Sequence, residues 1–266
     1  MPMEFVTELP YDHPYRWDGT LFGGPKLWRP SDIGSPIALW LDAEDTSTIT
    51  LNGSTVSQWN DKSGNGRDVL QGTATSQPAY GAALINGKPA LSFDGVDDAI
   101  LTATTNVSFS NSASVFAVQN NTATTGNGGS FDFIFSPNFI DIFSAAPNQI
   151  RWEIGNSSNG TLGSNTHTVV SNTPYIFSGV GNTSLINGGD QKTFAQTGVI
   201  SGSINSGIRL GAYFSPYKGT ISELVMLPSV ATVNQRQRIE GYLAWKWKLQ
   251  ANLPVGHPYK SLPPTA

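Results

Sequence analysis

The chain has 266 residues, a length that one all-β sandwich or barrel can fill as a single domain, and its 38% hydrophobic content supplies one sizeable core. Charged residues are only 13%, about half the ~25% of a typical globular domain, so the surface is built mainly from Ser, Thr, Asn, Gln and Gly. A net charge of −4 with no Lys/Arg run excludes a nucleic-acid backbone as partner; the lack of cysteine excludes disulfides and thiolate chemistry; no apolar stretch reaches the ~18 residues of a membrane span.

Residues 1–34 differ in composition from the rest of the chain. Pro2, Pro10, Pro14, Pro25 and Pro30 forbid a long helix or a central strand there. The aromatics among them, Phe5, Tyr11, Tyr15, Trp17, Phe22 and Trp28, argue against a disordered tail. The segment reads as an extended arm whose rings dock on an apolar surface, either of its own domain or of a neighbouring subunit. Its acidic residues and prolines also stand where a signal peptide needs a basic patch and an apolar run.

Residues 35–266 read as one β-sandwich domain. Short apolar runs recur, separated by Gly, Asn, Asp, Ser and Pro. They are IALWLDA (37–43), KPALSFDG (88–95), SVFAVQN (114–120), FDFIF (131–135), IRWEIG (150–155), YIFSGVG (175–181), IRLGAYF (208–214) and GTISELVMLP (219–228). In the last, the alternation puts Ile221, Glu223, Val225 and Leu227 on one face and Leu224 and Met226 on the other. Apolar residues on both faces predict a strand in the middle of a stack. NG at 52–53 and 86–87, DG at 94–95 and NGG at 187–189 supply hairpin turns. Many short strands without intervening helices predict a two-sheet antiparallel sandwich or jelly roll. A single helix closes the chain at 231–249, with Thr232 and Gln235 as its capping box. Val233, Ile239, Tyr242, Leu243 and Trp247 form its buried stripe, and Arg236 and Glu240 are expected on its exposed side.

Two acidic stretches invite a metal reading. In WNDKSGNGRD (59–68), Asp61, Ser63 and Asn65 alternate as in a calcium loop, but the twelfth position from Asp61 is Gly72, where an EF-hand needs a bidentate carboxylate. Asp61, Asn65 and Asp68 are the candidate ligands of a non-EF site; the simpler expectation is a Gly64-Asn65-Gly66 turn with Asp61 and Asn65 bonded to their own backbone. In SFDGVDDAIL (92–101), Asp94, Asp97 and Asp98 offer three carboxylates within five residues, or a solvated hairpin turn. Glycosidase chemistry needs two carboxylates flanking one bond, and the strand acids Glu153 and Glu223 each lack a partner at i+2 or i+4. Of the histidines, His13 and His257 precede Pro as turn residues, and His167 has no paired spacing. No G-x-S-x-G elbow or phosphate loop occurs. The sequence therefore predicts a protein that is not an enzyme and has no obligatory cofactor. Trp59, Trp152, Trp245 and Trp247 read as core rings before they read as sugar platforms.

The blocks LWLDAEDTSTIT, VSQWNDKSGNGRDVLQ, KPALSFDGVDDAIL, GTISELVMLP and RQRIEGYLAWKWKLQANLPVGHPY resemble the concanavalin A-like (laminin G-like) jelly-roll domains of bacteriophage virion proteins and of some bacterial surface proteins, over residues 35–260. The resemblance implies a sandwich closed by the C-terminal helix, and in some members a calcium ion near the sheet edge, here matched only by the acidic loops above. It implies no single activity, since the fold serves lectins, glycosidases, adhesion modules and capsid decorations alike. One sandwich with a short aromatic arm and no shaft or coiled coil, set beside that family, leads to the expectation of a virion structural protein, a capsid decoration, cement or short head-fibre protein assembled in the host cytoplasm and displayed on the capsid exterior. The arm anchors Phe5, Tyr11, Tyr15, Trp17, Phe22 and Trp28 would then grip the major capsid protein or sister subunits, with a homotrimer as the expected assembly. The alternative expectation is a lectin-like, carbohydrate-binding adhesion module of a phage tail or bacterial surface, with host glycans as partners.

Overall fold

A computed structural model of the protein describes residues 26–102, 108–110, 113–122, 128–135, 138–146, 148–156, 160–198, 201–203, 207–211 and 216–266. The arm anchors Phe5, Tyr11, Tyr15, Trp17 and Phe22, and His13, lie outside these residues. The protein is an all-β sandwich with one C-terminal helix, as the strand spacing and turn signals predict.

One sheet, here the front sheet, runs β2 (Ile49–Asn52), β3 (Thr55–Trp59), β4 (Val69–Leu70), β7 (Ile100–Leu101), β18 (Ile208–Leu210), β10 (Gly128–Phe135), β11 (Asn138–Ala146), β12 (Gln149–Asn156) and β13 (Gly160–Thr168), every neighbouring pair antiparallel. The back sheet is centred on β19 (Lys218–Leu227). On one side of β19 lie β1 (Leu39–Asp42) and, further along, β6 (Lys88–Asp94) with its hairpin partner β5 (Ala79–Ile85). On the other side come β9 (Ser114–Asn121), β14 (Tyr175–Val180), β15 (Thr183–Ile186) and β16 (Gly189–Thr193). Among the described residues a single pairing, Thr55 with Ala79, links the two sheets, and β8 (Ser108–Ser110) pairs with β17 (Ser201–Ser203) separately.

The space between the sheets is filled by alternate residues of both. Val115 and Ala117 of β9, Ile140 and Ile142 of β11, Trp152 of β12 and Phe177 of β14 are all fully or almost fully buried there. Trp59 and Trp152 are core rings, as expected. A second apolar layer covers the other face of the back sheet, where Phe116, Val118, Ile176, Val225 and Leu227 meet helix α1 (Val233–Lys246). The molecule is thus three layers: front sheet, back sheet and helix. Strand β19 lies in the middle, buried along all but its first residue.

Its faces differ from the simple alternation in one respect. The pairing with β9 slips between Ile221 and Glu223, so Ile221 joins Leu224 and Met226 on the inter-sheet face, while Glu223, Val225 and Leu227 turn toward the helix. A β-bulge inserts one unpaired residue and reverses the side-chain phase from that point.

The helix starts where its capping box predicts. The Thr232 hydroxyl accepts from the Gln235 amide at 3.2 Å, and the Gln235 side chain accepts from the Thr232 amide at 3.0 Å. Ile239, Tyr242, Leu243 and Trp247 are buried, but Val233, the first residue of the helix, is 64% exposed and stands outside the buried stripe. Arg236 and Glu240 form the expected i,i+4 ion pair at 2.8 Å. Glu240 is nevertheless fully buried, since Ser178 of β14 and His257 of the C-terminal segment both bond to its carboxylate. His257 is accordingly a buried partner of the helix and not only a turn residue.

Trp28, the one arm anchor among the described residues, packs edge-on against Tyr242 in the helix layer and is fully buried. The backbone of Leu27 bridges to Thr265, and Ala266 donates to Lys26 at 2.8 Å, so residues 26–28 and the C-terminus clasp each other. The last part of the proline-rich segment therefore belongs to the core of the domain that the sequence begins at residue 35. Among the described residues, no helix is long and apolar enough to cross a membrane.

Candidate functional site

The first acidic loop is a turn organised by one carboxylate. Asp61 accepts from the Trp40 amide at 3.0 Å, the Ser63 amide at 2.8 Å, the Ser63 hydroxyl at 2.7 Å and the Arg67 amide at 3.1 Å. Gly64 and Gly66 take the positive φ values, 85° and 68°, that the turn requires. Asp68 accepts from the Asp61 amide at 2.8 Å and from the Gln58 side chain at 3.3 Å, and the Asn65 side chain donates to the Ile37 carbonyl at 2.8 Å. The oxygens of Asp61 and Asp68 are thus engaged by protein donors, which is the turn that the Gly-Asn-Gly sequence predicts.

The second loop is different. Ligand atoms of Asp94, Asp97 and Asp98 lie within 4.8 Å of one another. Asp98 is buried and accepts from the Asp94 amide at 2.8 Å, Asp94 accepts from the Val96 amide at 2.7 Å, and Asp97 accepts from the Ser76 hydroxyl at 2.8 Å. Burial pushes the Asp98 carboxyl up to about 6, with the charges of Asp94 and Asp97 adding to the effect against the Asp94 amide. Among the described residues, these three hard oxygen donors are the grouping best suited to hold a calcium-class cation.

A third grouping was not legible as a site in the sequence. Because Ile140, Ile142, Ile150, Trp152 and Ile154 point into the inter-sheet core, the alternate residues Phe139, Asp141, Phe143, Arg151, Glu153 and Gly155 share the outer face of the front sheet. The register sets Phe139 opposite Gly155, Asp141 opposite Glu153 and Phe143 opposite Arg151. The tip of the Phe139 ring lies over Gly155, where a Cβ would fall 1.8 Å from it, so only glycine admits the ring. The Arg151 guanidinium stands 5.0 Å from the Phe143 ring centre and bonds Glu153 at 2.7 Å, while Thr161 donates to the other Glu153 oxygen. Asp141 and Glu153 are each only 6% exposed between the two half-buried rings. Further along the same face, the register continues through position 132 of β10 to Arg209 of β18.

Glu153 is thus not an isolated strand acid. Its partner is across the sheet, at separations that a search for acids at i+2 or i+4 cannot find. Glu223 has a cross-strand partner too, Asp42, but both are buried beneath the helix. His167, also without a sequence partner, bonds Asp190 at 2.7 Å and Ser184 at 2.7 Å. These are the residue types and spacings of a nucleophilic triad, yet His167 and Ser184 are fully buried and the Ser184 hydroxyl donates to Asn165, so no substrate carbonyl reaches it.

No protein-family model matches the chain, and no curated protein matches it in sequence. Solved structures do match in fold. The binding domain of botulinum neurotoxin serotype D superposes with a TM-score of 0.55 at 12% identity, over 77% of this chain and 50% of that one. Domain 4 of AbnA, a GH43 extracellular arabinanase from Geobacillus stearothermophilus solved with arabinotriose, superposes with a TM-score of 0.52 at 17% identity, over 77% of this chain and 98% of that one. Trypanosoma rangeli sialidase in complex with sialic acid gives a TM-score of 0.52 at 11% identity, over 79% of this chain and 33% of that one. The chain therefore spans half of the toxin domain and a third of the sialidase, but nearly the whole of the arabinanase domain. At these identities the likeness is one of architecture: the chain shares the β-sandwich fold of these domains.

Proposed function

We propose that this protein is a non-enzymatic carbohydrate-binding module that reads a glycan on the outer face of its front sheet. The observation that carries the reading is the ladder of Phe139 over Gly155, Asp141 beside Glu153 and Phe143 beside Arg151 on one face. Sugar rings present apolar C–H faces to aromatic rings and hydroxyl donors to carboxylates, and a site of flat rings around a few fixed polar groups meets both demands. Both oxygens of Glu153 are already engaged by Arg151 and Thr161, whereas a general acid needs an oxygen from which to deliver its proton; this favours binding over hydrolysis. The fold is shared with a domain solved in complex with arabinotriose, which supports a saccharide as the ligand class. The sequence blocks that resemble concanavalin A-like jelly rolls of virion proteins support display on a particle, where a glycan-binding module serves as an adhesin.

A glycan array probed with the whole chain tests the reading. Binding is expected for the wild type and is expected to fall at least tenfold in Phe143→Ala and in Asp141→Asn. Binding that both variants retain, or no binding to any glycan, overturns it. The capsid-decoration role rests on the sequence resemblance and the aromatic arm; a variant lacking residues 1–25 that still enters particles would argue against arm-mediated attachment.

A further inference from the structure

Lys246 lies in the last turn of α1, yet it is only 3% exposed. Its ammonium meets two carboxylates closely, Asp42 Oδ1 at 2.6 Å and Glu223 Oε2 at 2.7 Å, a third, Glu44 Oε2, at 4.0 Å, and the Tyr242 hydroxyl at 3.2 Å. Asp42 and Glu223 are directly opposite on β1 and β19, at 4% and 0% exposure. Three rings wall the cluster: the indole N–H groups of Trp40 and Trp247 donate to Glu223 at 2.8 and 2.6 Å, and the Tyr242 hydroxyl donates to it at 2.8 Å. Burying an ammonium with two carboxylates is expensive, and apolar residues of the same size would often hold a helix to a sheet at least as well. The arrangement is, however, well suited to a reaction between these groups.

We propose that Lys246 and Asp42 become joined by an intramolecular amide bond, formed by the protein itself with Glu223 as the proton-transfer group. The starting state is an ammonium and a carboxylate. Nζ passes a proton by way of Glu223 Oε2 to Asp42 Oδ1, and the neutral amine attacks Cγ of the resulting carboxylic acid. The adduct's negative charge develops on Oδ2, which already faces a second cation, Lys62 Nζ, at 2.7 Å. A second nitrogen proton passes through Glu223 to Oδ1, which already carries the first, and Oδ1 leaves as water. One N–C bond forms and one C–O bond breaks. Carboxylate plus ammonium gives amide plus water, and Glu223 ends as it began.

Three features favour the step. Contact at 2.6 Å inside packed secondary structure replaces an encounter in solution, an advantage of up to several powers of ten. Burial of Asp42, Glu223 and Lys246 destabilises the separated charges that make amide formation unfavourable in water. A half-open pocket of about 150 Å³, lined in part by Asp42, Lys62 and Lys246, gives the water a way out. Burial pushes the Glu223 carboxyl up against the pull of Lys246, which suits a group that must hold a proton in passing. Burial also opposes the Lys246 ammonium, but Glu223 and Asp42 outweigh it and hold it above the usual range, so the proton transfer runs uphill and only the loss of water makes the reaction one-way. Burial opposes ionisation of Asp42 as well, but Lys246 and Lys62 outweigh it and hold that carboxyl low, so it starts as the carboxylate that takes up the relayed proton. The product would tie the first strand of the back sheet to the closing helix, residues 42 and 246 of one chain.

The intact mass of the purified wild-type protein is the test. It should fall one water molecule short of the sequence mass, and proteolysis should release a branched peptide joining the segments that carry Asp42 and Lys246. Glu223→Gln and Lys246→Arg should each restore the full mass. A wild type at full mass overturns the bond, as does a water loss that maps to a single linear peptide. A branched peptide that persists in Glu223→Gln overturns the role of Glu223.

Discussion

The Asp94–Asp97–Asp98 loop yields a prediction whose sign and size come from the structure. Asp98 is buried beside two exposed carboxylates, and its carboxyl is raised from 3.8 to about 6. Between those pH values the folded protein holds a proton that the unfolded chain has released, so stability falls as pH rises across this window. Above it the cost of the buried charge is fully present; below 3.8 it is absent. The displacement corresponds to about 3 kcal/mol if undiminished, and solvent screening at the exposed Asp94 and Asp97 lowers a realistic figure to about 1–2 kcal/mol. Asp98→Asn removes the charge while its side-chain carbonyl still accepts from the Asp94 amide. The variant should be more stable than the wild type by about 1–2 kcal/mol above pH ~7.5, and no more stable below pH ~3.8. Urea unfolding at the two pH values, read as the midpoint at constant m, measures the difference. A variant less stable than the wild type at the higher pH, or equally stabilised at both, would refute the reasoning. Calcium offers a second reading of the same loop: an ion held by the three carboxylates would raise the wild-type melting temperature and leave that of Asp98→Asn unmoved.

The same geometry leads to other expected outcomes. Asp61→Ala removes four hydrogen bonds that fix the turn to the start of β1 and should cost about 2–4 kcal/mol in urea unfolding; a loss under about 0.5 kcal/mol would contradict the organising role given to that carboxylate. Burial holds His167 below the usual 6.5, against the raising effect of Asp190, so the unfolded chain takes up a proton first as pH falls. Stability should therefore decline from about pH 6.5 downward until the folded histidine also protonates, and His167→Gln should flatten that limb of the stability profile. Trp28→Ala should cost about 3–5 kcal/mol, measured by the same unfolding assay, because the ring is fully enclosed between the helix and the clasped termini. Removal of residues 1–34 should cost at least as much, and an unchanged midpoint would contradict the placement of the arm's end in the core.

Much of the architecture was legible in the residues. Strands β1, β6, β9, β12, β14 and β19 coincide with apolar runs bounded by turn residues, and the Thr232–Gln235 box marks the helix start. These are local signals: side-chain period, turn conformation and capping act within a few residues, so one stretch of sequence contains them. The Gly-Asn-Gly loop belongs with them, since Asp61 and its donors Ser63 and Arg67 are neighbours in the chain.

What the sequence could not determine is whatever depends on register. The bulge after Ile221 reverses which side chains of β19 face the helix, and nothing in ISELVML announces an unpaired residue. Glu153 and Glu223 looked solitary because their partners, Asp141 and Asp42, stand beside them only after strands far apart in sequence have paired. Glu240 looked like a surface residue because its i,i+4 partner is local, while Ser178 and His257, which bury it, are not. Hydrogen bonding between strands sets neighbours by register and not by separation along the chain. The composition and periodicity thus determined that this is a sandwich closed by a helix. Which acids meet which rings, and which lysine meets which carboxylate, was decided only when the sheets were stacked.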